Sequence, residues 1–267
     1  MPKRADVILV EQGLAQSRER AKALIMEGVV YYGEVKVAKA SDTFPDGVEL
    51  KVRENPIPFV SRGGLKLDKA VREYAIDLSE RVCVDVGAST GGFTDVMLKN
   101  GAKHVYAVDV GYGQLDWRLR NDDRVTCMER HNARQMEPAW FEETPSFASC
   151  DVSFISIKLI LPRIFDCICD GGEAVVLVKP QFEAGRGKVG KNGVVREAAT
   201  HLEVLVSAAE FALSCGFKIA ALDYSPITGP KGNIEYLMYL RKTDDCPEID
   251  ILSEAKTVVE LSHKELS

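Results

Sequence analysis

Apolar positions along the chain fall into two regimes. Up to residue 53 they come in short stretches of changing period. Ala5, Ile8 and Leu9, then Ala21, Leu24 and Ile25, recur at helical spacing and predict two short helices. Gly13 closes the first, and Ser17 stands where it can cap the second. After Gly28 the pattern turns to strands: Val29–Tyr31, Val35–Val37 and Val48–Val52, with turns at Gly33-Glu34 and at Pro45-Asp46-Gly47. Two helices and a small β-unit in about 50 residues hold too little core for a large function of their own. Asn55-Pro56-Ile57-Pro58 stiffens a connector.

From Gly63 onward the apolar runs lengthen and alternate between strand and helix periods. Leu65, Ala70 and Val71 mark a helix, Val82–Val86 a strand, and Phe93–Leu98 a second helix. Further strands are expected at Val105–Val110, Val125–Met128, Ser146–Val152, Ala174–Val178, Ile219–Tyr224 and Ile234–Leu240. Leu202–Leu213 reads as a strong helix, and Ile251, Leu252, Ala255, Val258 and Val259 form an amphipathic stripe near the end. This order predicts an α/β fold: a Rossmann-like, doubly wound parallel sheet covered on both faces, preceded by a small α+β domain. The expected division is residues 1–54, a linker over 55–62, and 63–267.

The 267 residues include 34 Lys+Arg and 40 Asp+Glu, a formal charge of -6. The sum hides a split. Residues 1–72 carry 13 basic and 10 acidic side chains, so the front of the chain is locally positive and suited to phosphate contact. No apolar run approaches the roughly 20 residues of a spanning helix, and the start MPKRADVILVEQG lacks the form of a secretory signal. The seven cysteines show no pairing logic and read as reduced thiols of a cytoplasmic protein. The four histidines form no ligand cluster, and no metal is expected.

The stretch from Val84 to Phe93 is a strand, a Gly-rich turn and a helix start, with Gly87, Ser89, Thr90, Gly91 and Gly92 in the turn. Asp109 ends the next strand, at a distance along the chain suited to a ribose diol. A dinucleotide turn wants glycine where Ser89 stands, and the carboxylate of Asp85 would repel a pyrophosphate while suiting a cationic methionine end, directly or through water. The set therefore points to S-adenosylmethionine, with Asn132 a further candidate contact. A Walker loop is excluded, because Gly187-Lys188 is followed by Val189. Residues 183–196, with Arg186, Lys188, Lys191 and Arg196 among four glycines, read as a mobile basic flap that is either an RNA contact or a solvated loop.

Four charged residues are expected at or near strand ends, where a doubly wound sheet places its site: Asp151, Lys179 and Glu235, with Lys66 on the helix before the first sheet strand. Lys179 follows four apolar residues and precedes Pro180, so it is hard to explain as solvent decoration; a buried lysine needs a partner or neutralisation. Exocyclic-amine methylation would call for an Asn/Asp-Pro-Pro-aromatic motif, and this chain has Asp151-Val-Ser-Phe. Base-carbon methylation would call for a nucleophilic cysteine, and Cys150 reads as strand packing.

The motifs Asp151-Val-Ser-Phe-Ile-Ser, Val178-Lys179-Pro-Gln-Phe-Glu183, Asp85-Val-Gly-Ala-Ser-Thr-Gly-Gly-Phe-Thr-Asp95 and Ser61-Arg-Gly-Gly-Leu-Lys66-Leu resemble those of the TlyA family over nearly the whole chain. That family, often labelled haemolysin A, comprises ribosomal-RNA 2′-O-methyltransferases with an N-terminal alpha-L RNA-binding domain, a linker and an FtsJ-like, RrmJ-type domain. The resemblance implies S-adenosylmethionine as methyl donor, a cytidine ribose of rRNA as acceptor, and a Lys-Asp-Lys-Glu tetrad at Lys66, Asp151, Lys179 and Glu235. Ala15-Gln-Ser-Arg-Glu-Arg-Ala21 and Gly28-Val-Val resemble the alpha-L module, whose basic second helix faces RNA. This implies Arg18, Arg20 and Lys22 as contacts, and Arg4 and Arg62 join them as candidates. The expected partners are ribosomal RNA or ribosomal subunits, with no membrane and a monomer favoured. Arg18 and Arg20 instead pairing with Glu11, Glu19 or Glu27 is the competing reading. Rival functions are a binding-only ribosome-assembly factor, a pseudouridine synthase, for which Leu67-Asp68 lacks the required Arg, and a haemolysin, for which no segment could insert.

Overall fold

The computed structural model describes residues 2–53 and 57–266. Glu54, Asn55 and Pro56, where the expected first domain ends and the linker begins, lie outside the described residues. The chain forms two compact units, Met1–Arg62 and Gly63–Ser267.

In the first unit α1 (Ala5–Glu11) packs on α2 (Arg18–Glu27). Ser17 caps α2 by accepting from the Arg20 amide at 3.1 Å, and Gly28 ends it at φ 74°, a conformation that costs glycine little. Strand β1 (Lys3–Arg4) pairs antiparallel with β4 (Thr43–Phe44), two short elements the apolar pattern does not announce. Strands β2 (Val30–Tyr32), β3 (Val35–Lys36) and β5 (Lys51–Val52) form a three-stranded sheet in the order β3-β2-β5. Ile8, Leu9, Leu24, Ile25, Val30 and Leu50 meet in one small core.

At the start of α1, Asp6 is fully buried. Arg4 donates to it through Nε at 2.9 Å and Nη2 at 3.2 Å, and Arg18 through Nη2 at 2.8 Å. The two arginine side chains remain 44% and 52% exposed. Two of the candidate RNA contacts thus also neutralise the unit's own buried carboxylate. Arg18 thus pairs within its unit, with Asp6.

In the second unit the strands are β6 (Val82–Val86), β7 (His104–Asp109), β8 (Val125–Glu129), β9 (Phe147–Cys150), β10 (Glu173–Val178), β11 (Lys218–Tyr224) and β12 (Tyr236–Arg241). They form one sheet in the order β11-β12-β10-β9-β6-β7-β8. The helices are α3 (Gly64–Glu73), α4 (Gly92–Lys99), α5 (Trp117–Arg120), α6 (Leu161–Cys167), α7 (Pro180–Glu183), α8 (Ala198–Ser214) and α9 (Ile251–Leu266). Strands β6 and β10 are buried at every position, as central strands covered on both faces must be. Their even-numbered residues, such as Val84 and Val176, join Ile164, Leu205 and Val258 of α6, α8 and α9 in the main core. Odd-numbered residues turn to the opposite face, where α3 and α4 lie.

One expectation is corrected. The sheet is not parallel throughout: β12 runs antiparallel to both β10 and β11. A parallel neighbour needs a crossover long enough to return the chain to the same edge, usually through a helix. Residues 225–235 hold only a single 3-10 turn, so β12 comes straight back along β11.

Ion pairing with Arg4 and then Arg18 outweighs burial and holds the Asp6 carboxyl at about 2. A depressed carboxyl stabilises the fold above its unfolded pKa, and that contribution is lost as pH falls from about 4 towards about 2. Asp6→Asn is expected to lower stability at neutral pH by about 1–3 kcal/mol and to remove this acid-side decline. Denaturant unfolding of the full chain across that pH range measures both.

Candidate active site

The period of the strands and the reversal of β12 together gather the charged residues. Val178 lies opposite Tyr236 in an antiparallel register, so the next residue of β10, Lys179, stands beside the preceding residue of β12, Glu235. In the parallel register Cys150 lies beside Val86, and Asp151 donates its amide to the Val86 carbonyl at 3.0 Å. Lys66 reaches the same edge from the first turns of α3.

The four side chains form one charge network. Lys66 Nζ lies 2.6 Å from Glu235 Oε2 and 3.2 Å from Asp151 Oδ2. Lys179 pairs with the other Asp151 oxygen and donates to Ser153 Oγ at 3.0 Å. Gln181 Nε2 donates to Glu235 Oε1 at 3.2 Å. Lys66, Lys179 and Glu235 are 7%, 5% and 0% exposed, so two ammonium groups and two carboxylates compensate each other out of water. Burial works to lower the Lys66 pKa, but Asp151 and Glu235 outweigh it and the ammonium titrates above its ordinary value. For Asp151 burial works upward, and the two lysines bring the carboxyl below its ordinary value. Gly229 permits this packing, because a Cβ there would lie 2.2 Å from Glu235 Oε1.

Beside the network opens a cavity of about 510 Å³, within the range of small-ligand sites. Gly87, Ser89, Asp109 and Asn132 line it, with Asp151, Ser153 and Phe154 on the side of the lysines and Val108, Val110 and Ile160 as apolar wall. Gly87 stands at φ 85°, and a Cβ there would meet the Asp151 carbonyl at 2.7 Å, so the turn admits glycine on two counts. Asp109 accepts from the Ser89 amide at 2.8 Å and the Gly111 amide at 2.6 Å. Asn132 accepts from the Arg134 amide at 3.1 Å.

The remaining candidates stand elsewhere. Thr90 and Gly91 continue the turn and Gly92 opens α4, and none of the three lines the cavity. Asp85 is fully buried on the α4 side of β6, and its carboxylate accepts from the Thr94 amide (2.8 Å), Thr94 Oγ1 (2.7 Å) and Ser149 Oγ (3.0 Å). The odd parity of position 85 turns it under the helix, where it holds the start of α4 through Thr94. Lys22 and Arg62 are exposed on the first unit and Arg20 is half-buried. The 183–196 flap is tied down at its end: the Val195 amide donates to Asn233 Oδ1 at 3.2 Å, and Asn233 Nδ2 donates to the Gly193 carbonyl at 3.0 Å. Sequence reasoning singled out neither Ser153 nor Gln181. Each is two residues beyond a charged member of the network, a spacing that is the available signal.

A seven-stranded sheet with one reversed strand, carrying a glycine turn, a ligand-sized cavity and a balanced charge network at one edge, is the frame of a methyltransferase. The chain belongs to the FtsJ-like methyltransferase family, whose model matches residues 59–242, and an S4 domain matches residues 3–50. It is similar to YqxC of Bacillus subtilis, provisionally named an rRNA methyltransferase, at 47% identity over 98% of this chain and 95% of that one. It is 42% identical, over 91% of each chain, to the 16S/23S rRNA (cytidine-2'-O)-methyltransferase TlyA of Mycobacterium tuberculosis. A solved structure from Streptococcus thermophilus, provisionally named a hemolysin, matches with a TM-score of 0.79 at 50% identity, covering 99% of this chain and 96% of that one. Among the described residues no helix is long and apolar enough to cross a membrane.

Burial raises the Asp85 carboxyl to about 6 against the lowering effect of its Thr94 and Ser149 hydrogen bonds. The folded state therefore keeps this proton while the unfolded chain releases it near pH 4, and stability is lost as pH rises from about 4 to about 6. Asp85→Asn is expected to flatten that decline by about 2–3 kcal/mol, read as the change with pH in the difference between wild-type and variant unfolding free energies.

Proposed function

We propose that this methyltransferase transfers a methyl group from S-adenosylmethionine to the 2′-hydroxyl of a cytidine ribose in ribosomal RNA. The observation that carries the reading is the double membership of Asp151: it belongs to the charge network and to the cavity wall. Donor and acceptor would therefore meet beside it.

The residues fit the donor. Each carboxylate oxygen has lone pairs beyond those used by the Ser89 and Gly111 amides, so Asp109 retains acceptor capacity for a ribose diol. Asn132 adds an amide, and Val110 and Ile160 offer apolar cover to a nucleobase. When bound, S-adenosylmethionine supplies a methyl group on a cationic sulfur that leaves as a neutral thioether. A ribose hydroxyl is a weak nucleophile at neutral pH, so the work of the protein is positioning and proton removal. Lys179, in its neutral amine form, accepts the hydroxyl proton as the new C–O bond forms and so becomes the ammonium. Asp151 and Ser153 aim its Nζ, and Lys66, itself held by Glu235, fixes Asp151.

Residues 1–54 supply RNA affinity and residues 63–267 the chemistry. Arg20, Lys22 and Arg62 meet phosphate, joined by the exposed edges of the Arg4 and Arg18 guanidiniums. An rRNA substrate implies a cytoplasmic enzyme. The similarity to TlyA of Mycobacterium tuberculosis supports cytidine as the acceptor nucleoside.

Lys179→Ala is expected to abolish single-turnover methyl transfer to rRNA while leaving S-adenosylmethionine affinity within a few-fold by calorimetry. Asp109→Ala is expected to weaken that affinity by about 1.5–3 kcal/mol. Near-normal transfer by Lys179→Ala would overturn the assignment of the base. Binding of NAD in place of S-adenosylmethionine would overturn the assignment of the donor. Separately, replacing Arg20 and Lys22 by Ala should make rRNA binding less salt-sensitive, lowering the log–log slope by about 1 for each lost phosphate contact, with donor affinity unaltered.

A further inference from the structure

The turn that follows Asp151 adopts a backbone conformation that needs support. Phe154 stands at φ 65°, a left-handed backbone rare for an aromatic residue, and its side chain is 91% exposed. Yet this turn supplies Ser153, which receives the Lys179 ammonium, and it forms one side of the cavity. Something other than local preference must hold it.

The support comes from α7, the single helical turn that begins directly after Lys179. At its far end Glu183 accepts from Ser156 Oγ at 2.7 Å through one oxygen and from the Ile157 amide at 2.8 Å through the other. Ser156 in turn accepts from the Lys158 amide at 3.2 Å and caps the short helical turn 157–159. Between these anchors the rings of Phe154 and Phe182 lie 5.2 Å apart. The segment 179–183 thus grips the turn 153–157 at both ends, through Lys179 on Ser153 and Glu183 on Ser156 and Ile157. Two loops from neighbouring strands β9 and β10 become one rigid bracket around the Lys179 Nζ.

We propose that Glu183 is a positioning residue for methyl transfer: by pinning the 153–157 turn it keeps Ser153 in place and so fixes the direction of the Lys179 Nζ. This deepens the proposed function and rests on that reading of Lys179. With the two N–H groups of the neutral Lys179 amine turned to Asp151 and Ser153, its lone pair is left for the acceptor hydroxyl. Loss of the Ser153 anchor frees the Nζ to swing about Asp151, a displacement felt in the chemical step rather than in binding.

The test is a cycle of variants in the full-length enzyme, read as kcat and KM for rRNA, donor affinity by calorimetry, and melting temperature. Glu183→Ala is expected to lower kcat by about 10- to 100-fold with donor affinity within twofold, and Glu183→Gln, which can still accept one of the two hydrogen bonds, to recover part of the loss. Ser153→Ala should lower kcat to a similar degree, and adding Glu183→Ala to it should cost little more, because both act through one contact. The kcat–pH profile of Glu183→Ala should shift in the same direction as that of Ser153→Ala. Wild-type enzyme without rRNA methylation would defeat the underlying reading. Active wild type with a fully active Glu183→Ala, with multiplicative losses in the double variant, or with a loss confined to donor affinity or melting temperature would overturn the role of Glu183.

Discussion

One carboxylate shared by two ammonium groups sets the conditions for the rest of the methyltransferase unit. Asp151 lies between Lys66 and Lys179, and Glu235 balances the second positive charge. Removing one member of a buried ion pair leaves the other unpaired and costs about 3–5 kcal/mol. All four elements that carry these residues must therefore arrive together: α3, the ends of β9 and β10, and the start of β12. The glycines at 87 and 229 serve the same requirement, since a side chain at either would collide with the Asp151 carbonyl or the Glu235 carboxylate.

The cavity and the charge network are built on different logic. The cavity rests on the backbone: Asp109 receives amides of the glycine turn and of its own strand end, so the walls are shaped before any ligand is present. The network is made of long side chains with several rotatable bonds, and it needs neighbours to fix their direction. That division explains why the polar anchors Ser153, Gln181 and Glu183 cluster on the lysine side.

Much of this was legible in the sequence. The strand Val82–Val86 and the helix near its glycine turn stand where the apolar run placed them, and Lys179 betrayed itself by following four apolar residues. Strand direction was not legible, because hydrophobic alternation is the same in either sense and only the length of the connection decides it. The difference matters at Glu235: had β12 run parallel, its first residues would stand at the opposite edge from Asp151 and Lys179. The role of Asp6 was hidden for another reason. An acid at a helix start ordinarily faces solvent and favours the helix dipole, and only the fold shows that Arg4 and Arg18 close over it. The face of β6 that Asp85 occupies was hidden as well, since a place before a glycine turn says nothing about it.

The strand order β11-β12-β10 has a consequence for synthesis. The ribosome delivers β11 before β12, yet β11 has no neighbour in the sheet until β12 fills the gap beside β10. While the chain grows, β10 is therefore a bare edge of six residues, five of them apolar, the kind of edge that pairs with other chains. Over the same interval Lys66 and Lys179 have only Asp151 to share. Insertion of the last strand covers the edge and completes the charge balance in a single event, so the nascent enzyme gains its protection from aggregation and its finished site at the same moment.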